Sequence, residues 1–324
     1  MTAFADFEEM RKRFVQSGRE LRDTPRNVPA SSGKLVFRRD PITLEEFSDR
    51  LPEEVRSPSG RTVVTISQSR LKRLWQAQRK AAGCWKRFEG TEILGMEGES
   101  SAAQAMGSRF EYQLTGALTR AGSVPPRLTT GTGRDSADQK RIDEAVAMAR
   151  HKILPELGVN VDEYQAGGGL RHKCLAGTPD LIKVTQGHVL IEDIKYSGLI
   201  ENKMAKASKF GWVAEELANK WETVVQACHY TLLAKLIWPG KQVRFRFIVF
   251  DQGEPGRFRC YRMEIGHGRM VEHMNFVLDQ VDVLKARMAG EGFPANPSYE
   301  ECQGCPVKCD HYVRYPDVHL VRVD

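Results

Sequence analysis

Hydrophobic and polar positions follow two different periods along this chain, and the switches between them predict its elements. In "SQSRLKRLWQAQRKAAG", Leu71, Leu74, Trp75 and Gln78 share one helical face, while Arg and Lys fill much of the other. Ser67 or Ser69 stands where an N-cap is needed, since its hydroxyl can accept from an orphan N–H of the first turn. Further helices are predicted over about 102–121, 138–156, 208–235 and 270–289, the last ending at Gly290 as a C-cap. Elsewhere the period drops to two. "TVVTI" at 62–66 predicts a short strand, and residues 170–195 predict two strands joined by a turn at "TQGH". "QVRFRFIVFD" predicts a strand that pairs with "RFRCYRMEI" across "QGEPG". Residues 1–60 are polar, carry Pro25, Pro29, "SSG" and "SPSG", and predict short helices and linkers. No internal repeat or low-complexity tract is visible.

Composition narrows the class. The chain has 324 residues, 41% hydrophobic and 28% charged, which suits one large globular domain with appendages or two modest ones. Purely apolar runs are short, as in Phe247 to Phe250, so no membrane-spanning helix is expected. The stretch "MTAFADFEEMRKRF" lacks an apolar signal core, and the expected location is cytoplasmic. Seven cysteines, an odd number, in a reducing compartment point to metal ligands rather than disulfides.

Charge changes the picture further. The net charge is +6, but residues 61–90 alone hold eight basic residues (Arg61, Arg70, Lys72, Arg73, Arg79, Lys80, Lys86, Arg87) against one acid, Glu89. Residues 1–60 balance, with eleven of each sign. A basic stripe on a near-neutral body suits a phosphate-backbone partner, the alternative being a solvated helix face.

The densest chemistry lies in "GTPDLIKVTQGHVLIEDIKYSG". Asp193 and Lys195 are two apart on a predicted strand, so both face one side with the Ile194 carbonyl beside them. Asp180, after Pro179 on the neighbouring strand, adds a second carboxylate. Two carboxylates and a carbonyl form a hard oxygen site suited to Mg²⁺ or Mn²⁺. A lysine there can orient a water and steady developing negative charge.

These residues resemble the PD-(D/E)xK nuclease superfamily, with Pro179-Asp180 as "PD" and Asp193-Ile194-Lys195 as "D-x-K". "ETVVQACHYTLLAK" places Gln226 and Tyr230 at i, i+4 on one helix face, like the Q-x-x-x-Y motif of the RecB-like branch. In "MGSRFEYQL", Gly107 leads to Glu111 where many RecB-like members carry His. Some phage-type exonucleases use Glu there, and the resemblance implies a metal ligand. "SQSRLKRLWQAQRKAAGCWKRFEG" looks like the RecB-like S-x-S-x-L … C-P-x-x-F segment, with Trp85 in place of Pro.

The same resemblance gives "ECQGCPVKCDHY" a meaning. Iron–sulfur members, including CRISPR-associated RecB-like and AddB-type exonucleases, place one cysteine before the core and three after it. Cys84 with Cys302, Cys305 and Cys309 would then hold a [4Fe–4S] cluster that clips the domain ends together. His311, two residues past Cys309, leaves a self-contained Zn²⁺ site open as the alternative. Cys174, Cys228 and Cys260 read as small buried hydrophobes, and His172 and His229 as structural.

The resemblance spans about residues 61–312. It implies an α/β fold: a restriction-endonuclease-like mixed sheet flanked by helices, with a helical iron–sulfur subdomain made by both ends. The implied organisation is an extension at 1–60, a nuclease core at 61–290 and a cysteine segment at 291–324. The implied activity is DNA cleavage with Mg²⁺ or Mn²⁺, exonucleolytic on single strands or duplex ends. Glu111, Asp180, Asp193 and the Ile194 carbonyl would hold metal, Lys195 would orient water, and Gln226 and Tyr230 would align the strand. Arg70, Lys72, Arg73, Arg79, Lys80, Lys86 and Arg87 would guide DNA, with Trp75 or Trp85 for base stacking, although Trp75 reads better as core. Other DNA-processing proteins are implied as partners, in CRISPR adaptation, phage recombination or repair. The rivals are a zinc-stapled DNA-binding scaffold with a vestigial site and a zinc-bearing site-specific endonuclease.

Overall fold

The computed structural model describes residues 40–57, 60, 63–78, 83–96, 98, 101–118, 122–198, 200, 212, 220–296, 302, 305–307, 309 and 310. Arg61, Arg79, Lys80, His311, most of the predicted extension and the first part of the helix expected from 208 lie outside them.

A five-stranded mixed sheet forms the centre. Its strands are β3 (Gln165–Ala166), β6 (Leu181–Val184), β7 (His188–Ser197), β8 (Gln242–Asp251) and β9 (Phe258–Met263), in the order β3-β6-β7-β8-β9. Only the β7–β8 pair is parallel. That pair needs a crossover, which α6 (Trp221–Ile237) supplies. The hairpin turns fall at "TQGH" and "QGEPG", as the alternation predicts. Short ladders β1–β2 (Val55–Arg56, Val63–Val64) and β4–β5 (Leu170–His172, Leu175–Gly177) lie outside the main sheet.

The period of two along β7 sorts side chains to two cores. Val189 and Ile191 join Phe245 and Phe247 under α2 (Gln68–Gln78), α6 and α7 (His267–Ala286). Ile194 and Tyr196 join Ile248 and Phe250 under α4 (Ala102–Thr115) and α5 (Ala137–Met148). Helices therefore cover both faces, as the fold class requires. α2 is capped by Ser67, whose Oγ accepts from the Arg70 N–H at 3.2 Å. α4 starts on a capping box between Ser101 and Gln104 and stops at Gly116, in the left-handed region at φ 77°.

One expectation is corrected and two helices gain detail. Residues 40–57 are no separate extension: Ile42, Phe47, Leu51 and Val55 are buried in the core beside α7, and α1 (Leu44–Arg50) carries Ser48, hydrogen-bonded to His172 at 2.9 Å. The helix from 138 runs on to 156 as expected, with one wide π turn, Ala149–Ile153, after Met148. The last helix breaks at Gly290 as expected, where φ is 149°, after passing into a π turn from Arg287; Gly292 follows at φ 65°.

Candidate active site

The register brings the acids together. Leu181 pairs with Glu192, so Asp180 falls one step on, beside Asp193, as β6 gives out at Pro179. The Ile194 N–H, which a longer β6 would have engaged, instead donates to Asp180 Oδ2 at 2.6 Å. This bond fixes the carboxylate against β7.

Asp193 is fully buried and held twice. Lys195, two residues on and on the same face, forms an ion pair with it, and Gln226 of α6 donates to its other oxygen. Lys195 Nζ also stands 3.8 Å from Asp180 Oδ2 and 3.3 Å from the Ile194 carbonyl. Glu111 arrives from α4, near enough for Lys195, Asp193 and Asp180 to act on its carboxyl. Phe110, next to it, stacks on Tyr196 of β7 with ring centroids 4.4 Å apart, which locks the α4 register.

Electrostatics follow from crowding. Burial, then the charge of Asp193, pushes the Asp180 carboxyl well above the usual carboxylate range. Burial also raises Glu111, with Lys195 opposing and Asp193 adding to the rise. Burial alone would discharge Lys195, but Asp193 and Asp180 outweigh it and hold the ammonium charged. Three carboxylates thus share one lysine, a negative surplus that a divalent cation would neutralise. Among the described residues no three His, Cys, Asp or Glu side chains form a preformed metal site. The donor set still fits Mg²⁺ or Mn²⁺ chemically, being all oxygen with a backbone carbonyl at its side.

Tyr230 is buried, and its hydroxyl donates to the Thr178 carbonyl at 3.0 Å. His229, pushed down to about 4 by burial, bonds the Ala176 carbonyl at 2.9 Å. Gly177 admits this grip, because a Cβ there would sit 2.7 Å from the Tyr230 ring. α6 therefore clamps the segment that carries Asp180, so Tyr230 reaches the acids through the backbone.

The basic residues do not form one face. Arg70 and Arg73 both pair with buried Glu92, and Arg70 also reaches the Thr65 carbonyl. Lys86 pairs with Glu89. The charges of Lys195 and Asp193 bear on half-buried Lys72. Glu92 was not singled out from sequence; its place 19 and 22 residues from its partners follows no period. Trp75 is core, as expected. Trp85 is core as well, packed on Phe88 and Phe293 under Arg287, which corrects the base-stacking expectation.

At the chain ends, the Cys84 thiol accepts from the Asn296 N–H at 3.4 Å. Burial raises the Cys305 thiol, and the charges of Cys84 and Cys302 bear on it. Cys84 and Cys309 both bear on Lys86. Cys174 and Cys228 are buried as expected, whereas Cys260 on β9 is only half-buried.

This sheet order, with acids at the β6–β7 register and helices on both faces, can be set beside solved structures. The fold resembles that of a solved exonuclease. The crystal structure of a protein assigned as an exonuclease, from Eubacterium rectale, has TM-score 0.52 at 16% identity over 80% of this chain and 91% of that one. LHK-Exo, an alkaline exonuclease from Laribacter hongkongensis, solved with dAMP, has TM-score 0.38 at 16% identity over 76% and 94%. A phage-related exonuclease from Haemophilus somnus 129PT has TM-score 0.30 at 12% identity over 69% and 96%. No family model and no curated protein matches the chain. Among the described residues no helix is long and apolar enough to cross a membrane.

Proposed function

We propose that this chain is a divalent-metal-dependent deoxyribonuclease that works as an exonuclease on single-stranded DNA or duplex ends. The observation that carries the reading is the cluster itself: Asp180, Asp193 and Glu111 crowded around Lys195, with surplus negative charge in a buried setting. The fold likeness to a protein assigned as an exonuclease supports it.

Glu111, Asp180, Asp193 and the Ile194 carbonyl would hold Mg²⁺ or Mn²⁺, which supplies Lewis-acid polarisation of a phosphoryl oxygen and a more acidic water. The chain's own residues do the rest. Gln226 and the Ile194 N–H fix Asp193 and Asp180, so neither rotates as charge shifts. Lys195 orients the attacking water. The water oxygen forms the new bond to phosphorus, the bond to the leaving nucleotide oxygen breaks, and that oxygen takes a proton. Tyr230 keeps the Asp180 segment in register.

Labelled single-stranded and duplex DNA with Mn²⁺ tests the reading. Wild type should shorten strands from an end, and Asp193→Ala should lose activity on the order of 10³-fold, about 4 kcal/mol of barrier. Equal degradation by both proteins would rule out this active site.

At the ends, Cys84, Cys302, Cys305 and Cys309 would hold a [4Fe–4S] cluster, a structural staple rather than a reaction centre. Cys84 and Cys302 lie near enough to Cys305 for their charges to bear on it, which supports counting Cys84 among the ligands. Anaerobically purified protein should contain iron and acid-labile sulfide, and Cys84→Ala should lose both. Zinc retained by Cys84→Ala would favour the His311 site.

A further inference from the structure

The β3–β6 and β4–β5 ladders run in one register. β3 pairs with β6 as Gln165↔Ile182 and Ala166↔Leu181, and β4 pairs with β5 as Leu170↔Gly177, Arg171↔Ala176 and His172↔Leu175. Between the two ladders the Gly167 N–H donates to the Asp180 carbonyl at 3.0 Å. Gly168 and Gly169 therefore stand opposite Pro179 and Thr178, where the pairing opens. Pro179 has no N–H to offer there. The Thr178 carbonyl, which the register sets against the Gly169 N–H, accepts from the Tyr230 hydroxyl instead. Three consecutive glycines thus lie along the segment that carries Asp180, in direct contact with it.

The three glycines answer to different demands. Gly167 takes φ 60°, in the left-handed region that favours glycine. A Cβ on Gly168 would stand 2.8 Å from Cδ of Gln165. Gly169 has neither reason: its φ lies outside that region, and a Cβ there would meet nothing within 4 Å. Glycine costs conformational entropy on folding, so one that the fold does not require suits close approach of the backbone to a ligand. The amides agree with this. Among the described residues neither the Gly168 nor the Gly169 N–H has a protein partner, although Gly168 is buried. An unpartnered N–H in a buried residue is rare, and this pair marks a place for an acceptor that comes from outside. Beside Asp180, on the nuclease reading, that acceptor is a phosphoryl oxygen. Neutral N–H donors suit it, since the divalent ion of the proposed site, not the loop, balances the charge of the acids.

We propose that Gly167–Gly169 is a substrate-binding loop of this site, the Gly169 N–H donating to a non-bridging oxygen of a DNA backbone phosphate that lies against Asp180. This deepens the nuclease reading and rests on it. Gly167 ties the loop to the Asp180 backbone, and the bare Cα of Gly169 leaves room for the strand.

The full chain is tested with a fluorescein-labelled single strand, with Ca²⁺ for binding and with Mn²⁺ for cleavage. Gly169→Ala and Gly169→Ser each add a side chain where the fold has space, so both should melt at or above the wild-type temperature. Both should nonetheless bind the strand about 10-fold more weakly and raise KM to match. A merely structural glycine would show the reverse, a lower melting temperature with unchanged affinity. A scan of single methylphosphonates, each replacing one non-bridging oxygen by a methyl group, should find one position that weakens binding to wild type but adds no loss in Gly169→Ala. Variants with wild-type affinity and KM would overturn the proposal, as would the lack of any such position. If wild type leaves DNA uncut while the variants still lose affinity and that position still shows, the nuclease reading fails and the phosphate contact stands.

Discussion

Glu192 and Asp193 are consecutive residues of one strand, both buried, on opposite faces of one sheet. Their fates differ. Glu192 receives a two-pronged Arg246 at 2.8 and 2.6 Å and the Tyr164 hydroxyl at 3.3 Å, while Arg246 also donates to the Leu157 carbonyl at 3.2 Å. One carboxylate meets one guanidinium, and the charge is settled. Asp193 shares Lys195 with Asp180 and Glu111, so negative charge is left over. Burial raises the Glu192 carboxyl just as it raises Asp180. A buried, shifted acid therefore does not by itself point to a site; an uncompensated group of acids is the observation that carries the proposal.

The sharpest way to break this comparison is to neutralise the cation on each face. On the nuclease reading, Lys195→Met should lower kcat on the order of 10²- to 10³-fold in the folded fraction and also cost stability, because it strands buried Asp193. Arg246→Met should cost stability alone. It strands Glu192 without a partner and should cost about 3 to 5 kcal/mol in a urea melt, while the folded fraction keeps its kcat. Folded Arg246→Met with lost activity would mean that the two faces are coupled through β7, and the contrast would fall.

Much of this was legible in the chain. Alternation in "HVLIEDIKYS" placed Asp193 and Lys195 together, and the i, i+4 spacing placed Gln226 and Tyr230 on one face of α6. Ser67 announced the start of α2. What periodicity could not give is what each face meets. The basic side of α2 looked like one solvated stripe because the helical period says only which residues are neighbours. It does not say that Glu92 would fold back on Arg70 and Arg73, or that Trp75 would pack against Trp221 of α6. Tyr230 was read as a strand-aligning group, but the exchange of its hydroxyl with the Thr178 carbonyl depends on the small size of Gly177, a packing fact with no local signature. Trp85 gave an ambiguous signal for the same reason: an aromatic beside basic residues reads alike in a core and on a DNA surface.

A smaller effect separates the two faces by pH. Asp180 and Glu111 have folded pKa values raised above their ordinary ones, as does Glu192. A carboxyl raised in this way favours the folded state while it is protonated, and that contribution is lost as pH climbs from the ordinary carboxylate range through the raised folded value. Without metal, both faces thus lose stability in the same direction. Mn²⁺ would separate them, because on the proposed reading it binds the ionised acids of one face only. The gain from Mn²⁺ should be small in acid and grow with pH, reaching about 2.7 kcal/mol once the ion stands at a hundredfold over its dissociation constant. Asp180→Asn should abolish the pH-dependent part of that gain, measured as the shift in melting temperature on adding Mn²⁺ across a pH series. Glu192→Gln should leave the gain intact and lower only the baseline from which it starts. A Mn²⁺ gain that is flat with pH in wild type would show that the ion does not draw on the crowded carboxylates, and the surplus charge on the Asp193 face would need another explanation.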